Sequence, residues 1–190
     1  MTFIVQSHFI NDFNLGDNIN HNFEILSLLY TQYDSENEFN KNLLRKLIIL
    51  IIISIIEAVL YDFHTRIKNN VAEGVENLKT SVLEYVRGKK IDKFQKYIDS
   101  ARKNNFFELS DSKFYDYLIR LCKLRNRVHI QNDQGTLEKK DRDVFTEKRM
   151  IIAEKALEFI FKKLLEKYSR DEFKRYVNYF KIPWEEHFIT

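Results

Sequence analysis

Arg125 and His129 carry the clearest chemistry in the chain. They lie four residues apart in the segment Phe114 to Ile130 (FYDYLIRLCKLRNRVHI), a spacing that puts two side chains on one face of a helix. Arginine keeps its charge and grips phosphate in a bidentate way. Histidine titrates near neutrality and serves as general acid or base. The pair suits phosphodiester chemistry on RNA: the imidazole moves protons at the 2′-hydroxyl or the leaving oxygen, and the guanidinium stabilises the charged phosphorane. Asn126, at the edge of the same face, can hold a phosphate oxygen or the imidazole. The same residues serve structure instead if Arg125 bridges to a core carboxylate and His129 packs as a hydrogen-bonded core residue.

A candidate carboxylate lies in Leu47 to Leu60 (LIILIIISIIEAVL), a helical stretch that is apolar nearly all round. Its only break is a narrow stripe of Ser54, Glu57, Tyr61 and His64. Glu57, mid-helix among isoleucines, needs a cation, and Arg125 is the obvious one; His64 reads equally well as part of a solvated face. Lys89, Lys90, Lys93 and Lys96 form a basic patch able to track a nucleic-acid backbone, or a plain solvated face. Cys122 borders the apolar stripe and reads as inert core, and His8, His21 and His187 join no constellation. The sequence has no glycine-rich phosphate loop, no nucleophile elbow and no His/Asp cluster with metal spacing. No cofactor or metal is therefore expected.

The elements that must position these residues are helices. Phe114, Leu118, Leu121 and Val128 recur at about 100° per residue, with Tyr117 and Leu124 on the edge of their face. Arg125 projects to the middle of that stripe with His129 beside it. Arg120, Lys123 and Arg127 fall on the opposite, wet side. Ser110 or Ser112 is the expected cap of this helix. Upstream, residues 1 to about 20 read as an irregular arm, and Phe23 to Tyr33 as a short amphipathic helix. Ser35 and Glu38 make a capping box for a long central helix running to about Lys68. A second helix includes Gly74 and ends at Gly88, and a third, basic and surface-lying, covers Lys89 to Asn104. QNDQGTLEKKDRD, after Ile130, reads as an exposed loop. Asp143 to Tyr168 is a long amphipathic helix with Ile151, Ala153, Ala156, Leu157, Ile160, Leu164 and Leu165 on its stripe. Residues 169–190 form an aromatic extension whose helix ends at Pro183.

Composition agrees with a single all-α domain. The chain has 190 residues, four glycines and one proline, too little turn chemistry for a many-stranded β protein. A net charge of +3 and a pI near 8.8 tolerate an anionic partner without marking one. One cysteine permits no internal disulfide and fits a reducing cytoplasm, and MTFIVQSHFINDF lacks the regions of a signal peptide. Leu47 to Leu60 carries Glu57 and is 14 residues long, whereas a membrane span needs roughly 20. It reads as a buried core helix, with no membrane association.

Leu124-Arg-Asn-Arg-Val-His-Ile130, followed by a polar loop and a long closing helix, resembles the motif helix of HEPN domains. IIEAVLYDF, with Glu57 and Asp62, resembles the long first core helix of that family. The resemblance covers about residues 40 to 168. The family's hallmark is an Arg, often followed by a polar residue such as Asn, with four to six residues before a His; here three intervene. The shorter spacing keeps both groups on one helical face. The resemblance implies an up-and-down helical bundle that dimerises with the Arg/His motifs of two chains facing one cleft. It further implies metal-independent cleavage of RNA, as in toxin–antitoxin and defence systems, with a cognate antitoxin as a possible partner. Arg125 and His129 would then be the catalytic pair, Asn126 the intervening polar residue and Glu57 an orienting group. The rival from another class is a non-catalytic helical module binding a nucleotide or a protein, with Arg125 and His129 structural.

Overall fold

The computed structural model describes residues 2–69, 75, 78–129, 140–170, 176 and 178–188. Among these the chain is an all-α bundle of seven helices with one two-stranded sheet. Its axis is α2, Glu38–Asn69, 32 residues long, or about 48 Å at 1.5 Å per residue. α1 (Phe13–Ser35), α3 (Thr80–Arg87), α4 (Phe94–Lys103), α5 (Lys113–Arg125), α6 (Asp141–Val144) and α7 (Glu147–Tyr168) all pack against it. The isoleucine run explains that position. Ile48, Ile49, Ile52, Ile53, Ile55 and Ile56 are all buried, because neighbours approach α2 from several directions at once. No helix among the described residues is long and apolar enough to cross a membrane.

Several element boundaries differ from the sequence reading. The N-terminal arm is ordered structure: β1, Phe3–Gln6, precedes α1, which begins at Phe13 rather than Phe23. Asn, Asp and Gly16 lower intrinsic helix propensity across that first stretch, but tertiary contacts override it. Asp62 of α2 accepts the backbone N–H groups of Asn11 and Asp12 at 2.8 and 3.0 Å, and Asp12 in turn caps Leu15. Gly16 is required by close approach, since a Cβ there would lie 2.8 Å from the Tyr176 ring. α2 is started not by Ser35 but by Asn37, whose Oδ1 accepts the Asn40 N–H; the Ser35 hydroxyl donates to the Gln32 carbonyl within α1. Ser112 does precede α5, without a side-chain cap. Gly88 ends α3 as expected, while α4 begins at Phe94, later than Lys89. Gly74 and the loop QNDQGTLEK lie outside the described residues.

The long closing helix is broken. α6 stops at Val144, and the Thr146 hydroxyl accepts the Arg149 N–H to start α7. Among the described residues of the aromatic extension, a strand stands just before Pro183, where the end of a helix is expected: β2, Tyr179–Ile182, pairs antiparallel with β1 from Phe3↔Ile182 to Gln6↔Tyr179. Alternation explains it, because Phe180 and Ile182 are buried while Tyr179 and Lys181 are exposed. Phe180 packs on Phe161 and Phe23 with ring centroids 5.3 and 5.6 Å apart. Two buried carboxylates of α7 anchor the rest of the tail. Glu158 accepts the Trp184 indole N–H at 2.8 Å and the His187 backbone N–H at 3.0 Å. Glu154 meets the His187 ring at 2.7 Å and the Tyr30 hydroxyl.

Candidate functional site

Glu57 and Arg125 meet, as the sequence anticipates. The guanidinium Nε donates to Glu57 Oε2 at 2.9 Å and Nη2 to Oε1 at 2.6 Å, a bidentate bridge from α2 to the last residue of α5. The side chains are 37% and 21% exposed, so the pair sits in the surface rather than in the core. Glu57 occupies one edge of the guanidinium, and Nη1 makes no hydrogen bond with the described residues.

His129 is not on the same helix. α5 ends at Arg125, a 3₁₀ turn covers Asn126–Val128, and His129 is extended, its backbone N–H donating to the Asn126 carbonyl at 3.3 Å. This corrects the placement of three side chains. In a 3₁₀ turn residues i and i+3 eclipse one another. Arg127 therefore falls over buried Leu124, and Val128 over half-exposed Arg125. Arg127, expected on the wet side, is buried and bridges to Asp141, Nη2 to Oδ1 at 2.8 Å. Val128, expected in the core stripe, is exposed. Lys46 reaches the other oxygen of Asp141 at 2.6 Å; burial opposes the charge of that carboxylate, but the two cations hold it below its usual range. The sequence offered one sign of this cluster, the acidic-basic run KKDRD, without marking its partner.

Arg125, half-buried Asn126 and exposed Val128 and His129 thus share one corner of the bundle, at the end of α5 beside α2. The imidazole of His129 is open to solvent. A phosphate there would meet the free Nη1 edge of Arg125, held by Glu57 in a fixed orientation. Glu57 also partly neutralises the guanidinium, so this is a positioning device more than a strong field.

The lysine patch lies apart, on the α3–α4 connection and the first turn of α4. Lys89, Lys90, Lys93 and Lys96 are all exposed. Asp92 takes Lys96 at 2.9 Å and Lys90 at 3.4 Å, leaving Lys89 and Lys93 without a carboxylate among the described residues. Cys122 is buried and its thiol pushed up by burial, as expected of an inert core cysteine.

His64 departs from the solvated stripe to which its spacing assigns it. Ser54 and Tyr61 are exposed, but α4 and the turn after it cover the stripe one turn later, and His64 is 4% exposed. Its ring packs on Tyr97 and Phe106, centroids 5.1 and 5.6 Å away. Nδ1 lies 2.7 Å from the Leu60 carbonyl. A carbonyl only accepts, so Nδ1 carries the hydrogen and Nε2 is left as an acceptor. Nε2 is buried and has no partner, and burial pushes the imidazole pKa down to about 4. Among the described residues, no group of three or more His, Cys, Asp or Glu converges as a metal site.

No protein-family model, no curated protein and no solved structure matches the chain.

Proposed function

We propose that the chain is a HEPN-like endoribonuclease that cleaves RNA without a metal ion, as a homodimer and in a toxin or defence role. The observation that carries this reading is the Glu57–Arg125 clamp, which leaves Nη1 of Arg125 without a hydrogen bond among the described residues, four positions before an exposed His129. In the proposed reaction the 2′-oxygen attacks the adjacent phosphorus and the bond to the 5′-oxygen breaks. His129 takes the proton of the 2′-hydroxyl or delivers one to the leaving oxygen. Arg125 bears the phosphorane charge through its free edge, Asn126 positions a phosphate oxygen, and Glu57 orients Arg125.

Support for the dimer comes from α2. Phe39, Leu43 and Leu47 are large, apolar and exposed at helical spacing, and the stripe continues through half-buried Leu50 and small, exposed Ser54 to Glu57. From Leu43 to Tyr61 the steps alternate four and three residues, the spacing of a helix seam that packs on another helix. A second copy seated on that stripe would bring two Glu57–Arg125 clamps toward one groove. A cognate antitoxin would then be the partner that masks it.

The test incubates purified protein with total RNA in EDTA beside an Arg125→Ala/His129→Ala double variant. The reading requires cleavage by the wild type and its loss in the variant; equal degradation, or none by either, overturns it. The second reading, a non-catalytic nucleotide- or protein-binding module, is favoured by one observation: Glu57 satisfies Arg125 within a single chain. It predicts no cleavage by either protein.

A further inference from the structure

Along α2 from Glu57, the helix meets α3 and α4 around a cavity of about 260 Å³ whose lining includes Tyr61, His64, Thr65, Lys68, Lys89 and Tyr97. We propose that this cavity binds one nucleoside unit of a phosphorylated ligand: the base enters against the tyrosines and His64, and its phosphate stays at the rim with Lys68 and Lys89. The inference rests on the RNA-acting reading above and names where a nucleotide flanking the scissile phosphate would sit.

Four observations converge on that chemistry. The buried Nε2 of His64 is an acceptor without a donor, and a buried polar atom left unsatisfied is costly. Because Nδ1 is tied back to Leu60 in the same helix, the Nε2 edge is turned away from the α2 backbone, on a ring that lines the cavity. The missing group must be a donor, and the amino groups on nucleobase edges are such donors. Next, Tyr61 and Tyr97 stand edge-to-face, centroids 6.2 Å apart, with Tyr61 exposed at the mouth; single-stranded RNA is read by stacking unpaired bases on such rings. Lys68 and Lys89 are exposed cations with no carboxylate partner among the described residues, as a phosphate requires. Lastly, the size is suitable. The cavity greatly exceeds the roughly 30 Å³ of one water, yet falls just below the roughly 300 to 1,000 Å³ of pockets that hold drug-sized molecules. A volume of that order holds a nucleobase, with the attached phosphate left to Lys68 and Lys89 at the rim.

Position supports the link to the clamp. His64 is seven residues from Glu57, so the cavity lies about 10 Å along α2 from the Arg125 clamp at 1.5 Å per residue. Tyr61 is between them on the same stripe. A single extended strand can touch both.

The experiment uses the full chain carrying His129→Ala, which keeps RNA intact. Fluorescence anisotropy of an end-labelled single-stranded RNA oligonucleotide reads affinity, and ¹⁵N NMR of the His64 ring reads the Nε2 atom directly. The oligonucleotide is expected to bind and to shift the Nε2 resonance. His64→Phe, which keeps an aromatic ring against Tyr97 and Phe106, weakens binding about tenfold, the worth of one hydrogen bond to a buried acceptor. Lys89→Ala, at the exposed rim, weakens it about threefold and lowers the salt dependence by about one phosphate contact. Adenosine and cytidine monophosphate form a second arm. If they alone shift Nε2 and displace the oligonucleotide, the physiological source is a free nucleotide; if only the oligonucleotide does, it is RNA. The proposal falls if neither ligand moves the Nε2 resonance, or if both variants bind like their parent. Cleavage is scored separately on the wild-type chain: His64-dependent binding without cleavage removes the ribonuclease reading alone, and cleavage without it removes the subsite alone.

Discussion

Breaking the Glu57–Arg125 bridge gives a measurement with a definite size. Two unit charges about 4 Å apart attract by roughly 4 kcal/mol in the screened environment near a protein surface. Most of that is offset, because the side chains are 37% and 21% exposed and their desolvation and ordering oppose the gain. Exposed pairs net about 0.2–1 kcal/mol. The bidentate geometry, Nε–Oε2 2.9 Å and Nη2–Oε1 2.6 Å, puts this one at the top of that range, about 1 kcal/mol. Glu57→Ala, Arg125→Ala and the double variant are compared by urea unfolding. The double variant should lose about 1 kcal/mol less than the sum of the singles, with the coupling shrinking at high salt. Glu57→Gln, which keeps the shape and removes the charge, should lower RNA cleavage about tenfold while leaving RNA affinity equal or slightly higher, since the carboxylate no longer opposes the phosphate. Strict additivity, within about 0.3 kcal/mol, would mean that the bridge does not join α2 to α5. Full turnover in Glu57→Gln would strip Glu57 of its positioning role.

Two further outcomes follow from the same helix. Leu43→Glu/Leu47→Glu places charge on the exposed α2 stripe without touching the core, so light scattering should show a dimer become a folded monomer; a monomeric wild type would refute the seam. Asp62 and His64 oppose each other in acid. Asp62 is pushed up to about 6 by burial, despite two backbone N–H bonds, from an ordinary value of 3.8. Its contribution is fully present below about 3.8 and is lost as pH rises through about 6. His64, pushed down from 6.5 to about 4, contributes stability present above about 6.5 and lost as pH falls through about 4. Each shift corresponds to about 3 kcal/mol at most. Between pH 6 and 4.5 Asp62→Asn should therefore lose stability on acidification and His64→Phe should gain it; parallel urea midpoints would exclude both assignments.

Helical periodicity made the bundle and the Glu57–Arg125 contact legible, because both depend on residues within regular helices. It failed where the helix changes its winding. Helical spacing carries Val128 and His129 along an α-helix, but the chain tightens to a 3₁₀ turn after Arg125, and the eclipsed geometry exchanges Arg127 with Val128. Nothing in LRNRVH announces that change; the partner that rewards it, Asp141, lies 14 residues on. The tail failed for a related reason. Alternation in Tyr179–Ile182 spans only four residues, too short to be told from a helix edge, and its pairing with β1 joins the two ends of the chain. Glu154 and Glu158 of α7 face His187 and Trp184, which only the fold brings there.

The isoleucine-rich core helix poses the last question. A helix apolar on every side belongs in the middle of a bundle, and most of α2 is there. One stripe is not, and it is the one that runs from Phe39 through Leu43 and Leu47 to Glu57. Scattered exposed apolar residues need no explanation, but three in register on the longest helix, leading directly to the Glu57–Arg125 clamp, form a contiguous surface rather than scatter. Seated against its own copy, that stripe would bury the apolar half and leave Glu57, Arg125 and His129 at the edge of the contact. The same pairing would add a wall to the corner where His129 meets solvent. The stripe and the site therefore stand or fall together: a charge at Leu43 and Leu47, well away from the chemistry, should abolish cleavage if the groove is shared and leave it intact if each chain acts alone.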